Sequence, residues 1–258
     1  MFVNIRAGYW EGIFMQLVDR VLKTIEILST AELGMSVSDL SEALDIPASS
    51  THRVLKSLQD NHFVTQDAET RKYRLSYKLY SICSGMKEQN SLIMLARPYM
   101  RMLAEEISKP VVLCVLSGEK IINLDCIENS NASVYMVKTG EELPLYSTSA
   151  GRVFAADMQP EKARKILEKE PRYKATPYTK TDVEELEQEL ARIRVQGYSV
   201  IDEELQLGIQ GVSCPIRDYR GKIVAALAAT TVKSENSITD ELIDRLKYYA
   251  GEISGQIL

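Results

Sequence analysis

Five consecutive residues, Ser147-Thr148-Ser149-Ala150-Gly151, bring three hydroxyls and two small side chains together. At a helix start such a run offers hydroxyl groups and unobstructed backbone N–H groups. The positive end of the helix dipole adds to them, so the spot favours an anion such as a carboxylate. The other reading is an ordinary helix cap without a ligand. A second cluster, Asp202-Glu203-Glu204, has only oxygen atoms to offer. It suits a hard cation, or it is a solvated loop, as neighbouring carboxylates usually are. A third group is basic. Between residues 47 and 80 stand Arg53, Lys56, Arg71, Lys72, Arg74 and Lys78 against Asp60, Asp67 and Glu69, a local charge of +3 in a chain of net charge -5. A reader of DNA needs only such a local face.

Covalent and metal chemistry find little support. His52 and His62 are the only histidines, and none lies in the C-terminal part. That removes Ser-His-Asp and Cys-His catalysis there, and histidine-dependent metal sites. Cys83, Cys114, Cys126 and Cys214 are scattered without a C-x-x-C pair, and most are expected to be small buried residues in a reducing cytoplasm. Neither a Walker loop nor G-x-G-x-x-G occurs. No catalytic residue, metal or cofactor is therefore expected, and an enzyme acting on a carboxylate is kept as the alternative. The 258 residues allow one large domain or two ordinary ones. With 45% hydrophobic and 26% charged residues the chain is globular. No apolar run is long enough to span a bilayer. Residues 1–14, with Trp10 and Phe14, lack the basic start and apolar core of a signal peptide, and read as an extended start or a loose arm.

These groups must be held by regular elements. Leu17, Val21, Ile25 and Leu28 fall on one helical face. Ser36 with Asp39 resembles a capping box ahead of a short helix over residues 37–44, which Pro47 ends. A third helix begins near Ala48 with Ser49, Ser50, Thr51, His52 and Arg53, its inner face being Val54, Leu55 and Leu58. Helix, tight turn, helix is the spacing of DNA readers whose second helix enters the major groove. Next, Phe63-Val64-Thr65, a polar turn over 66–70 and Arg71-Lys72-Tyr73-Arg74-Leu75 read as a hairpin with a basic second strand, a wing. A three-helix module that binds no DNA is the alternative.

Residues 76–89 and 91–107 read as two helices, a linker that conveys the state of one domain to the other or a spacer packed on the second domain. After Pro110 the pattern changes to strands at 111–116, 121–127, 134–137, 198–201, 212–216 and 223–232, with helices at 160–169, 183–196 and 239–257. Antiparallel strands with helices outside them make an α+β domain.

The runs Leu17 to Lys23, Ser38 to Ser41, Ile46 to Leu55 and Tyr73 to Leu75 resemble the DNA-binding domain of the IclR family of bacterial transcription regulators. Residues 140–155, 197–204 with Gly208, and 213–227 resemble its effector domain. The resemblance implies a winged helix-turn-helix over 15–76, a linker helix over 77–90 and a GAF-like α+β effector and oligomerisation domain over 91–258. It implies a cytoplasmic regulator, a repressor with activator as the open alternative, working as a homodimer or homotetramer on operator DNA. Ser38, Pro47, Ser49, Ser50, Thr51, Arg53, Lys56, Arg71, Lys72 and Arg74 are then the expected DNA contacts. A small organic acid, of the sugar-acid or keto-acid class, is the expected effector, held by Ser147, Thr148, Ser149, Ala150 and Gly151. Tyr135, Asp202, Cys214, Ala228 and Thr230 are expected to complete the cavity, since strand residues alternate and one face must point to it. Ile201, Gly211 and Ala228 stand where some members carry polar ligand contacts. A module that regulates a protein partner is the alternative from another class.

Overall fold

The computed structural model describes residues 5–89, 91–128, 137–234 and 237–257, without the side chains of 5–16 and 86–89. Tyr135 and residues 134–136 of the expected strand lie outside this set; Val137 is described and belongs to no strand. The chain divides into two units, Met1–Gln89 and Asn90–Leu258. Among the described residues no helix is long and apolar enough to cross a membrane.

The first unit consists of α1 (Ile5–Thr30), α2 (Val37–Leu44), α3 (Ala48–Asp60), β1 (Val64–Gln66), β2 (Tyr73–Leu75) and α4 (Tyr77–Gln89). Residues 5–14 are helical and continue into the part of α1 that the apolar spacing marks. A helix needs only continued backbone pairing, and apolar periodicity marks just the part that packs. α2 starts where Ser36 Oγ accepts from Asp39 N (3.2 Å) and Asp39 Oδ2 accepts from Ser36 N (3.0 Å), a complete capping box with the shorter acid. Its end turns at Asp45 in the left-handed conformation, and Pro47 then precedes the first turn of α3. Leu28, Leu40, Val54, Leu55, Leu58, Val64 and Tyr73 form the core that locks these helices to the hairpin.

Gly34 makes that junction fit. It sits at φ +70°, and a Cβ there would lie 2.6 Å from Arg74 Cγ and 2.7 Å from the Tyr73 carbonyl oxygen. The next residue, Met35, exchanges two backbone hydrogen bonds with Tyr73. Gly34→Ala should therefore cost roughly 1–3 kcal/mol, read as a lower urea midpoint with the helical circular dichroism retained. An unchanged midpoint would show that the junction has slack.

The second unit runs α5 (Ser91–Ile107), β3 (Val111–Ser117), β4 (Lys120–Ile127), β5 (Glu142–Leu143), α6 (Ser149–Asp157), α7 (Pro160–Lys169), α8 (Val183–Gln196), β6 (Ser199–Asp202), β7 (Ile209–Arg217), β8 (Ile223–Val232) and α9 (Asp240–Ser254). The strands form one antiparallel sheet in the order β5-β4-β3-β8-β7-β6. Alternation sends Val112, Cys114, Ala226 and Ala228 to a core with α6, α7 and α8, and Val111, Leu113, Leu227 and Ala229 to a core with α5 and α9. This is an α+β domain whose sheet is covered on both faces. β7 begins at Ile209, three residues before the expected strand, because its first residues pair with Thr231 and Val232 beyond the apolar stretch.

Candidate functional site

A cavity opens on the α6 side of the sheet, about 520 Å³ of space free of protein atoms with its mouth included. Register explains its floor. Ile201 pairs with Gly211 and Gly211 with Thr230, while Ser213 pairs with Ala228 and Ala228 with Val112. Residues paired across neighbouring strands share a face, so these side chains point the same way. Ile201, Gly211, Thr230, Ala228 and Val112 all line the cavity, with Cys114, Ile121 and Asn123 from β3 and β4.

The start of α6 closes one end. Thr148 caps it: its Oγ1 accepts from Gly151 N (3.0 Å) and donates to the Pro144 carbonyl (2.9 Å). Ser149 Oγ lies 2.7 Å from Ser213 Oγ, tying the helix to β7. The N–H groups of Ser149 and Ala150 have no acceptor among the described residues. Such free donors at a helix start suit an anion. No charged side chain is among the described lining residues.

Of the effector residues expected from the sequence, Thr148, Ser149, Ala150, Ala228 and Thr230 line this cavity. Tyr135 is outside the described residues. The other four stand elsewhere. Ser147 is buried off the lining. Gly151 has its N–H taken by Thr148, and a Cβ there would meet the Leu145 carbonyl oxygen at 2.3 Å, so its smallness serves packing. Asp202 points away from its neighbour Ile201 and accepts from Lys233 Nζ (3.0 Å) and Gln210 Nε2 (2.9 Å). Burial works to raise its pKa, but the hydrogen bonds from Lys233 and Gln210 outweigh it and hold the carboxyl below its usual range. Cys214 belongs to the core with α5 and α9. One residue decides the face of a strand, and it is Gly211 and Ser213 that turn toward α6. Cys114 is the cavity's cysteine, its thiol pushed up to about 12 by burial.

The acidic cluster is not a solvated loop throughout. Glu204 is buried and grips buried Arg152 of α6 through both oxygens, at 2.7 Å to Nη1 and through a shorter contact to Nη2. Arg152 Nε also donates to the Tyr146 carbonyl (2.8 Å), and Lys180 N donates to Glu204 (3.2 Å). Arg152 follows the hydroxyl run directly in sequence, yet nothing local signals its partner 52 residues on. Among the described residues no group of His, Cys, Asp or Glu is arranged to hold a metal. Asn123, Gln210, Leu205 and Ile209 also line the cavity and were not expected there. A polar Asn flanked by Ile122 and Leu124 in β4 was the one available signal, and Asp125 on the same strand shares it.

In the first unit, α3 presents Ser49, His52, Arg53, Lys56 and Ser57 to the outside, with Ser50 half-buried. Thr51 does not join them. It is fully buried with Val54, Leu55 and Leu58, and its hydroxyl donates back to the Pro47 carbonyl at 3.4 Å. A methyl on the i+3, i+4 stripe of Val54 and Leu55 makes Thr51 a core residue. Ser38 and Pro47 are exposed. Lys56 pairs with Asp60 at 2.9 Å. The basic second strand is shorter than expected: β2 carries only Arg74, while Arg71, at φ 58°, and Lys72 sit in the turn. Asp67 orders that turn by accepting from Thr70 N (2.7 Å), the Thr70 hydroxyl (2.8 Å) and Glu69 N (3.2 Å). The Thr70 N–H in particular holds its carboxyl below the usual range. Arg74 lies along Gly34 and donates to the Leu33 carbonyl at 3.4 Å.

A helix-turn-helix with a wing, followed by an α+β unit holding a cavity, is the build of a ligand-sensing transcription regulator. The profile described as "IclR helix-turn-helix domain" matches residues 17–68, and the one described as "Bacterial transcriptional regulator IclR C-terminal" matches residues 86–255. The chain belongs to the IclR family of bacterial transcriptional regulators. It is 28% identical over 245 residues to the HTH-type transcriptional regulator KdgR of Escherichia coli, covering 93% of each chain. An IclR transcriptional regulator from Alicyclobacillus acidocaldarius is 25% identical with a TM-score of 0.81, over 93% of this chain and 98% of that one. An IclR homologue from Microbacterium hydrocarbonoxydans, solved with 4-hydroxybenzoate, shares the fold at 23% identity and a TM-score of 0.79, over 93% and 98%.

Proposed function

We propose that this regulator reads operator DNA with α3 and the wing, and that a small organic acid in the cavity biases its DNA-binding state. The observation that carries the first part is the outward face of α3. Ser49, Arg53 and Lys56 share it, and the hairpin that follows presents Arg71, Lys72 and Arg74. Small hydroxyls allow close approach to the duplex, Arg53 reaches base edges or phosphate, and the wing cations meet the backbone. Ser38, Pro47 and Ser50 complete the contact set. One such unit makes too few contacts for tight specific binding, so a homodimer or homotetramer on a two-fold operator is the working form. The protein is then a cytoplasmic regulator that binds its ligand without converting it.

For the second part, Thr148, Ser149, Ala150, Ala228 and Thr230 are the effector residues, and the free N–H groups of Ser149 and Ala150 receive the carboxylate. The relative solved with 4-hydroxybenzoate supports an acid in this fold. A ligand regulates only through a difference in affinity between DNA-competent and DNA-incompetent states.

Fluorescence anisotropy on a random duplex tests the DNA reading. Affinity should fall steeply as salt is raised from 50 to 200 mM, with a log–log slope set by the number of phosphates neutralised. Lys72→Ala should lower that slope by about one. A salt-independent interaction, or none, would overturn the reading in favour of a module that docks on a protein partner.

A further inference from the structure

We propose that the cavity selects a monocarboxylate with an apolar body and discriminates against polyhydroxy acids and dicarboxylates. The inference rests on the effector reading above and narrows the chemistry of the acid, away from the sugar-acid class that the family resemblance implies.

Charge comes first. The described lining offers neither lysine, arginine nor histidine, so the start of α6 is the one described feature that favours an anion. A second carboxylate would be stripped of water with no charged group among the described lining residues to replace it.

Shape comes next. The floor is built from the smallest side chains of three adjacent strands: Gly211 on β7, Ala228 on β8, and Cys114 with Val112 on β3. Over Gly211 the space is already taken: a Cβ there would lie 3.2 Å from Ile201 Cγ1 and 3.3 Å from Ser149 Oγ. The open floor is therefore the part over Ala228, Cys114 and Val112, where a compact apolar body can lie.

Polarity decides the class. The walls are Ile121, Val137, Leu143, Ile201, Leu205 and Ile209. A sugar acid laid between them would turn hydroxyls toward C–H groups. Each hydroxyl left unpaired in a buried site weakens binding by about tenfold. Among the described lining residues the polar side chains are Asn123, Thr148, Ser149, Gln210 and Thr230, and most are engaged. The Thr148 hydroxyl is held by Pro144 and Gly151, and that of Ser149 by Ser213. Gln210 donates to Asp202 at 2.9 Å, and its Oε1 accepts from Ser237. Asn123 is looser, accepting from Cys114 Sγ at 3.5 Å and donating to the Lys138 carbonyl at 3.4 Å. Thus Thr230 and Asn123 can meet one or two polar substituents beyond the carboxylate, but the described lining cannot meet a row of them.

Isothermal titration of the full-length protein at neutral pH, with benzoate, gluconate, succinate and pyruvate as separate probes, tests this. Benzoate should bind at least tenfold tighter than gluconate or succinate. Thr230→Met and Ala228→Met, each checked for folding by circular dichroism, fill the cavity from its floor and should remove benzoate binding. Two variants are used so that one misfolded protein does not decide the matter. Gluconate or succinate binding as tightly as benzoate would overturn the selectivity while leaving the effector reading in place. So would pyruvate binding with benzoate silent. Benzoate binding that persists in both filled variants would place it elsewhere and overturn the inference. Silence from all four probes would overturn the effector reading along with it.

Discussion

Arg53→Ala should weaken binding to a specific duplex by about 1–3 kcal/mol, roughly 5- to 150-fold in Kd. Arg53 is exposed on α3, one turn after Ser49, with Lys56 following on the same side. It has no ion pair among the described residues, whereas Lys56 is paired with Asp60. A free guanidinium is the better reader, because its planar fork can bind two acceptors of one base or phosphate at once. A duplex enriched from a random pool by the protein itself supplies the target, and anisotropy at fixed salt gives Kd. The comparison with Thr51→Val makes the test specific. Thr51 lies in the core, so its valine variant should keep parental affinity, although both residues belong to the same stretch of sequence. Loss in Thr51→Val and none in Arg53→Ala would mean that α3 meets DNA with its other face, or not at all.

Arg152→Ala should lower the stability of the second unit by about 3–5 kcal/mol, the usual result of leaving one member of a buried ion pair without its partner. Both side chains are nearly sealed from water, at 1% and 5% exposure. Screening by solvent therefore does little to soften the loss. The truncation also removes the donor to the Tyr146 carbonyl and frees the segment that carries Glu204. Leu205 and Ile209, which follow Glu204, line the cavity, so the same change should loosen the pocket wall. Urea unfolding followed by circular dichroism reads the stability. The double variant Arg152→Met/Glu204→Leu separates charge from shape. It leaves no unpaired charge and should recover much of the loss, since a buried pair is often worth no more than an apolar replacement. A single-variant loss below about 1 kcal/mol would show that water reaches the pair.

Chemistry confined to a few neighbouring residues was legible in the sequence. The Ser36–Asp39 capping box, the break at Pro47 and the start of α3 at Ala48 depend on contacts within four residues, and they stand where spacing placed them. The same holds for α5, α7, α8 and β8, whose apolar patterns and flanking breakers mark both ends. The hydroxyl run was likewise legible as a helix start, because an N-cap is a local device. Local pattern also misled. Thr51 has a hydroxyl like Ser49 and Ser50 before it but sits on the opposite side of the helix from Ser49 and Arg53.

What only the tertiary structure decided is which way strands face and which distant charges meet. β3, β7 and β8 are covered on both sides, so their apolar runs do not alternate and carry no mark of the cavity side. The register with β6 and β8 turns Gly211 and Ser213 inward and sends Cys214 to the other core. Glu204 looked like one of three loop carboxylates until the fold carried Arg152 to it across 52 residues, while Asp202 and Glu203 went to Lys233. The family and the two-part plan thus rested on short-range residue order. The wall of the pocket rests on a one-residue strand register and on a single long-range ion pair. Were Cys214 shown to touch a bound acid, or Arg152 to stand in water, that division of labour would be wrong.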